Sequence, residues 1–162
     1  FKEGTSNRFY AILDPLTDTL ASYPMTESDL KKVSSGSEFN LWNEYPDKKG
    51  WYVQFSDFGT TDEKVVSQAV LLLDSLTVVT FDPEASADEC NPGSGYAREY
   101  SFHFRTGGGS GRVIGTGIPQ APRYSFDQSG SGLVVRQTFD SLWVEKTTGY
   151  GSLKRILQWK ER

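Results

Sequence analysis

The stretch Ala97-Arg-Glu-Tyr-Ser-Phe-His-Phe104 alternates between polar and aromatic residues from Glu99 onward. Its aromatic side chains, Tyr100, Phe102 and Phe104, fall on one side of an extended chain, and the polar side chains fall on the other. Because successive side chains of a β-strand point to opposite faces, this period of two predicts a strand with one face in an aromatic core. The stretch therefore indicates a β fold.

Short runs of the same kind recur along the rest of the chain. The other predicted strands are Asn7–Asp14, Glu38–Asn43, Trp51–Phe55, Lys64–Leu73, Leu76–Phe81, Arg123–Phe126, Gly132–Thr138, Ser141–Lys146 and Arg155–Trp159. The 16 Gly and 7 Pro residues that punctuate the 162-residue chain are typical of short strands joined by turns. Strands and helices do not alternate, which disfavours a parallel α/β sheet. We expect one all-β domain over residues 1–162.

Three segments are predicted to depart from the strand pattern. Thr26-Glu-Ser-Asp29 resembles a capping box, so we expect a short helix near residues 27–33. Asp82–Gly95 is predicted to be a long polar loop, and Thr106–Gly111 a flexible glycine-rich one. A hairpin is expected where Lys64–Leu73 and Leu76–Phe81 flank a turn at Asp74-Ser75.

The charge and composition of the chain argue against some classes of binding partner. The net charge is −4 and the basic residues are scattered, so the sequence offers no basic footprint for nucleic acid. No apolar run approaches the roughly 18 residues of a membrane span. The chain begins at Phe1 rather than Met, so we expect a fragment or a processed product that has lost its export signal. Cys90 is the single cysteine; it either pairs with a residue outside the chain or is a thiol without a role.

Several short motifs occur in the same order as similar motifs in a known protein family. They are Gly50–Phe55 (GWYVQF), Glu63–Ala69 (EKVVSQA), Val79–Pro83 (VTFDP), Cys90–Gly95 (CNPGSG), Gly117–Pro122 (GIPQAP) and Lys154–Glu161 (KRILQWKE). This ordered set resembles the C-terminal β-propeller region of the PilC/PilY type IV pilus assembly and adhesin family. Asn7–Asp14 looks like a family strand of the type YALD one blade earlier, whereas Tyr96–Phe104 departs from that pattern.

The resemblance, which spans Arg8 to Glu161, implies a non-catalytic propeller that is exported to the periplasm, the outer surface or the pilus tip. It implies roles in pilus biogenesis and adhesion through protein contacts. About 160 residues supply about three antiparallel blades, so we expect a partial propeller. Its expected partners are the remaining blades or another chain at the sheet edges, pilus or minor pilin subunits, and host or surface receptors. The family implies calcium, but no D-x-D-x-D loop occurs here, so we expect no metal or cofactor in this chain.

The residues that most resemble catalytic groups have simpler interpretations. His103 is the only histidine, and no nucleophile elbow accompanies it, so we expect a structural or exposed side chain. Thr106–Gly111 lacks the Lys-Ser/Thr of a phosphate-binding loop. The acidic residues of the polar loop are expected to be solvated rather than held as a catalytic pair; they are Asp82, Glu84, Asp88 and Glu89. We therefore expect no enzyme activity.

Aromatic residues give the candidate interaction surface. The four tryptophans are Trp42, Trp51, Trp143 and Trp159. Trp51 and Trp159 lie in predicted strands and are expected in the core. Trp42 and Tyr45, beside turn residues, are predicted to form an exposed pair that contacts a partner. Two alternative functions stay open: a fragment of a propeller-type quinoprotein oxidoreductase, and an extracellular carbohydrate-binding β-module.

Overall fold

A computed structural model describes residues 6–13, 25–34, 39–58, 62–83 and 95–147, without the side chains of Trp42 and Thr147. Eleven strands lie in these ranges. They are β1 (Arg8–Ile12), β2 (Lys31–Val33), β3 (Gly50–Gln54), β4 (Lys64–Val65), β5 (Val70–Leu72), β6 (Ser75–Asp82), β7 (Tyr96–His103), β8 (Gly109–Thr116), β9 (Arg123–Phe126), β10 (Gly132–Gln137) and β11 (Leu142–Thr147). The helical elements are single turns: 3₁₀ turns at Glu27–Asp29 and Phe55–Phe58, and α1 at Leu41–Glu44. The predicted all-β class is confirmed.

The strands form three sheets, which we call the first sheet (β1-β3-β2), the central sheet (β4 to β8) and the third sheet (β11-β10-β9). In the central sheet, β5, β6, β7 and β8 pair antiparallel in chain order, and β4 pairs with β6 as well. The pair β6–β7 is in register over eight residues, from Ser75 opposite His103 to Asp82 opposite Tyr96. These long strands form the middle of the molecule.

The first sheet packs on one face of the central sheet through an aromatic core. The indole of Trp51 lies 5.4 Å from the ring of Phe102, and Phe55 lies 5.2 Å from Tyr100, measured between ring centroids. All four side chains are almost fully buried. Trp51 Nε1 also donates to the backbone oxygen of Phe104 at 2.7 Å, which satisfies the polar atom of a buried indole. The predicted core role of Trp51 is confirmed.

The third sheet lies against the opposite face of the central sheet. There Tyr124 on β9 donates its hydroxyl hydrogen to Thr77 Oγ1 on β6 at 3.2 Å. A small apolar cluster of Val79, Ala97 and Ile114 is buried in the central sheet. This cluster is much smaller than the aromatic core on the other face, so polar contacts carry more of the packing between the central and third sheets.

The predicted helix over residues 27–33 is wrong beyond its first turn. Thr26 N donates to Asp29 Oδ2 at 2.7 Å, as the capping-box prediction requires, but only Glu27–Asp29 is helical. Lys31–Val33 instead forms β2, parallel to β3, with Val33 fully buried in the aromatic core. Tertiary burial of Val33 outweighs the local helix signal, since intrinsic propensity amounts to only a few tenths of a kcal/mol per residue.

Two further local predictions are corrected. The strand predicted over Glu38–Asn43 is wrong, because Leu41–Glu44 forms α1 and Asn40 N donates to Glu44 Oε1 at 2.8 Å across its first turn. The predicted hairpin forms, but its turn lies at Leu73–Asp74 and β4 and β5 are separate strands. Leu73 has a φ of 54° there.

The glycine-rich loop predicted over Thr106–Gly111 is also wrong, because β8 begins inside it at Gly109. Gly109 pairs with Phe102, and Gly111 pairs with Tyr100. A Cβ atom on Gly111 would lie 2.3 Å from the Tyr100 ring, so the ring lies across the β8 backbone. These glycines therefore permit close packing of aromatic rings on a strand and do not mark a loop.

Candidate functional site

Four charged side chains join the central and third sheets in one network. Glu99 on β7 accepts hydrogen bonds from Arg112 Nη2 at 3.1 Å and from Arg136 Nε. Glu145 on β11 accepts from Arg136 Nη1 at 2.9 Å and from Arg112 Nη2 at 3.5 Å. Each arginine thus contacts both carboxylates, and opposite charges alternate around the network. We call these four residues the charge network.

The two halves of the charge network differ in exposure. The side chains of Glu99 and Arg136 are 6% and 12% exposed, whereas those of Arg112 and Glu145 are 56% and 58% exposed. Burial alone would lower the pKa of Arg136, but its hydrogen bond to Glu99 and the nearby carboxylate charges raise that pKa above its ordinary value. The buried half is therefore a fixed ion pair, and the exposed half is free to exchange its contacts with a bound molecule.

The charge network is the wall between two grooves. One groove has a volume of about 310 Å³ and is mainly apolar. Its lining includes Val113, Ile114 and Trp143 beside the charged side chains. Trp143 lies opposite Arg136 in the β10–β11 register and is 58% exposed. An exposed indole beside two guanidinium groups is a surface suited to stacking with a ligand.

The second groove is polar and has a volume of about 470 Å³. Its floor carries hydroxyl groups from Ser75, Thr77, Ser101 and Ser110. Ser75 Oγ and Ser101 Oγ lie 2.8 Å apart. The third sheet supplies the opposite side, with Tyr124 and Val134 next to the charge network. Both grooves share Arg112, Arg136 and Glu145, so a molecule in one groove contacts groups that also line the other.

A different surface lies on the far side of the third sheet. Since Arg136 and Glu145 point toward Glu99, their strand neighbours point away from the central sheet. This outer face carries Leu133, Leu142 and Val144, which are 41%, 67% and 59% exposed. Exposed large apolar side chains also occur elsewhere in the described residues, among them Leu71 and Val113 on the central sheet and Phe139 after β10. Three exposed apolar side chains on one face of a sheet are suited to contact with another protein surface.

Of the predicted interaction pair, only Tyr45 has a described side chain. Its ring is half-buried against the aromatic core and packs edge-on against Phe39, with centroids 5.7 Å apart. Lys31 Nζ lies 4.0 Å from the Tyr45 centroid and covers one ring face. Tyr45 is therefore less open than predicted, and its pairing with Trp42 stays a prediction.

The other predicted candidates lie apart from the grooves. His103 is exposed at the end of β7, where its ring stacks on Phe104 at 6.0 Å between centroids. Asp82 is not part of a solvated loop: it is the last residue of β6, is buried, and lies 3.7 Å from Arg98 Nε. Cys90, Trp159 and the remaining acidic residues of the polar loop lie outside the described residues.

The described ranges contain no group of three or more His, Cys, Asp or Glu side chains placed to hold a metal ion. Within the same ranges, no helix has the length and apolar character needed to cross a membrane.

Sequence reasoning missed the charge network because its members are spread over four strands. Glu99 lies on the polar side of the predicted strand, and the third sheet covers that side. The usable signal was the presence of an arginine and a glutamate within otherwise apolar or hydroxyl-rich strands, Arg136 in β10 and Glu145 in β11. Their meeting with Glu99 depends on sheet order, which periodicity does not give.

Comparison with known proteins adds no relative. Neither a protein-family model, nor a curated protein, nor a solved structure matches this chain.

Proposed function

We propose that this chain is a non-enzymatic interaction module: the C-terminal portion of a β-propeller in an exported type IV pilus biogenesis and adhesion factor. The observation that carries its interaction role is the exposed apolar outer face of the third sheet, with Leu133, Leu142 and Val144. The pilus assignment is supported by the ordered sequence motifs.

Three of the six motifs begin at residues that the fold constrains. Gly50, which opens the motif GWYVQF, packs so closely on β1 that a Cβ would lie 2.1 Å from the Ala11 carbonyl oxygen. Glu63, which opens EKVVSQA, is fully buried. Gly117, which opens GIPQAP, has a φ of 76°. Residues under such constraints are the ones expected to recur among proteins of one fold, which supports the resemblance.

The sheet arrangement favours a propeller portion. A propeller blade is a four-stranded antiparallel meander, and successive blades pack face to face. Strands β5 to β8 form such a meander in chain order, and β9 to β11 form a three-stranded one beside it. In a propeller the outer face of the third sheet would pack on the next blade or on a partner chain. Its exposed leucines and valine are suited to that contact.

The test uses the full-length parent protein in a piliated bacterium. The double variant Leu142→Asp/Val144→Asp places two charges on the outer face, and we expect fewer surface pili, weaker adhesion and reduced twitching. Ser125→Asp is the matched control, because Ser125 pairs with Leu133 and adds a charge to the same face without removing an apolar contact. Piliation, adhesion and twitching at the wild-type level in the double variant, with normal protein abundance, contradict the proposal.

A further inference from the structure

We propose that the polar groove between the central and third sheets binds a neutral saccharide, a role separate from the pilus function. The groove is lined by hydroxyl groups, two carboxylates and two guanidinium groups. Its volume of about 470 Å³ lies within the 300–1,000 Å³ that is typical of small-molecule sites.

The hydroxyl-lined floor is the first argument. A sheet face that packs on another sheet is normally apolar, because burying hydroxyl groups costs free energy unless each is hydrogen-bonded. Here Ser75, Thr77, Ser101 and Ser110 share the face of the central sheet that meets the third sheet; Thr77 is buried, whereas Ser101 and Ser110 are exposed and accessible to a ligand. A hydroxyl group donates one hydrogen bond and accepts two, so this floor offers both functions to a ligand. Sugar hydroxyl groups also both donate and accept hydrogen bonds, so an uncharged sugar complements this floor.

The balance of charge is the second argument. Glu99 and Glu145 supply acceptors, while Arg112 and Arg136 supply donors, and the four charges already compensate one another. An anionic ligand would compete with Glu145 for the two arginines. A neutral polyol needs no such exchange, since it donates to the carboxylates and accepts from the arginines. Lys146, which follows Glu145 and lies on the outer face of β11, adds a positive charge near the groove, so acidic saccharides are a necessary comparison.

Trp143 extends the site beyond the polar groove. It lines the adjacent apolar groove on the other side of the charge network and is 58% exposed. The apolar C–H face of a sugar ring packs well on an aromatic ring, so Trp143 is placed for a second unit of a short chain. We therefore expect a disaccharide to bind more tightly than its monosaccharide.

The experiment is a titration of the isotope-labelled chain, followed by the amide signals of Ser101, Ser110 and Tyr124. The probes are cellobiose, lactose and N,N′-diacetylchitobiose, with digalacturonate and sialyllactose as acidic comparators, each up to about 20 mM. We expect saturable shifts at the groove with at least one neutral disaccharide, and weaker or no shifts with the acidic pair.

Two variants separate groove binding from general surface effects. Ser110→Val removes a floor hydroxyl and adds bulk, and we expect about tenfold weaker binding; Ser125→Val makes the same change on the outer face and leaves binding unchanged. If Ser110→Val loses the dispersed spectrum of the folded chain, Arg112→Gln replaces it, because Arg112 is exposed and its loss removes a donor from the groove. Three results overturn the proposal: no shift with any neutral disaccharide, tighter binding of the acidic saccharides, or equal weakening by the groove and control variants.

Discussion

Glu99 on β7 and Arg136 on β10 form a buried ion pair across the interface between the central and third sheets, and both side chains are at most 12% exposed. The apolar cluster of the central sheet, Val79, Ala97 and Ile114, is small. This ion pair is therefore one of the contacts that hold the third sheet on the central sheet, and both grooves share Arg136.

Removing one partner of this pair should destabilise the protein strongly. Glu99→Gln leaves the Arg136 guanidinium with a neutral partner at a buried site, so we expect a loss of about 3 kcal/mol in the free energy of unfolding. Urea denaturation followed by tryptophan fluorescence measures it. Glu145→Gln is the control, because Glu145 is 58% exposed and its contribution should stay below about 1 kcal/mol. Equal losses of unfolding free energy in the two variants would show that burial of Glu99 does not increase its contribution to stability.

A second buried carboxyl group anchors the central sheet. Glu63, just before β4, is fully buried and accepts hydrogen bonds from the Tyr100 hydroxyl at 2.8 Å and from Thr80 Oγ1. Tyr100→Phe removes one of these donors to a buried carboxyl group, so we expect a loss of about 2 kcal/mol in unfolding free energy. Tyr10→Phe is the matched control, because Tyr10 also donates to a glutamate, Glu27, but at an exposed site. The control should lose less than about 0.5 kcal/mol, and a similar loss in both variants would contradict the role of Glu63.

Acid should weaken the turn between β10 and β11. Hydrogen bonds from Thr116, Thr138 and Ser141 hold the pKa of Asp140 well below its usual range. A pKa that is lower in the folded state means that Asp140 stabilises the fold fully above the unfolded value of about 3.9, and that this stabilisation is lost as the pH falls below it.

The substitution Asp140→Asn keeps an oxygen acceptor but removes the titration. We expect the variant to show a flatter decline of its thermal unfolding midpoint between about pH 5 and pH 2 than the wild type. Asp47→Asn, in an exposed turn, should leave the wild-type slope unchanged. A wild-type slope in Asp140→Asn would show that the turn does not contribute to the acid response.

The sequence predicted the fold class and most long strands, because alternation of side chains is a local property. The strand containing Tyr100 and Phe102 was found in this way, and its aromatic face is buried as expected. β8 was missed, since Gly109 and Gly111 look like loop residues until the Tyr100 ring lies across them. A glycine can be required at a position either for backbone freedom or for close packing, and a single sequence does not distinguish these two reasons.

The candidate site could not be predicted from the sequence for a different physical reason. Glu99 and Arg136 are 37 residues apart, and their contact needs both sheet order and the stacking of the third sheet. A polar strand face looks the same in a sequence whether water or another sheet covers it. Arg136 in β10 and Glu145 in β11 gave a local hint of this interface, since each is a charged residue that follows a valine in its strand.

Gly50 provides a test of the motif GWYVQF as a structural feature. Gly50 has a φ of 155°, and a Cβ there would lie 2.1 Å from the Ala11 carbonyl oxygen on β1. Gly50→Ala should therefore force β1 away from β3 and cost about 3 kcal/mol in unfolding free energy, measured by urea denaturation. Gly130→Ala is the comparison, because Gly130 has a φ of 84° in the turn after β9, where we expect a loss of only about 1 kcal/mol from the backbone angle. A larger loss of unfolding free energy in Gly50→Ala than in Gly130→Ala would be due to the close contact between β1 and β3. Equal losses would mean that the backbone angle alone accounts for the effect and would contradict the importance of this contact.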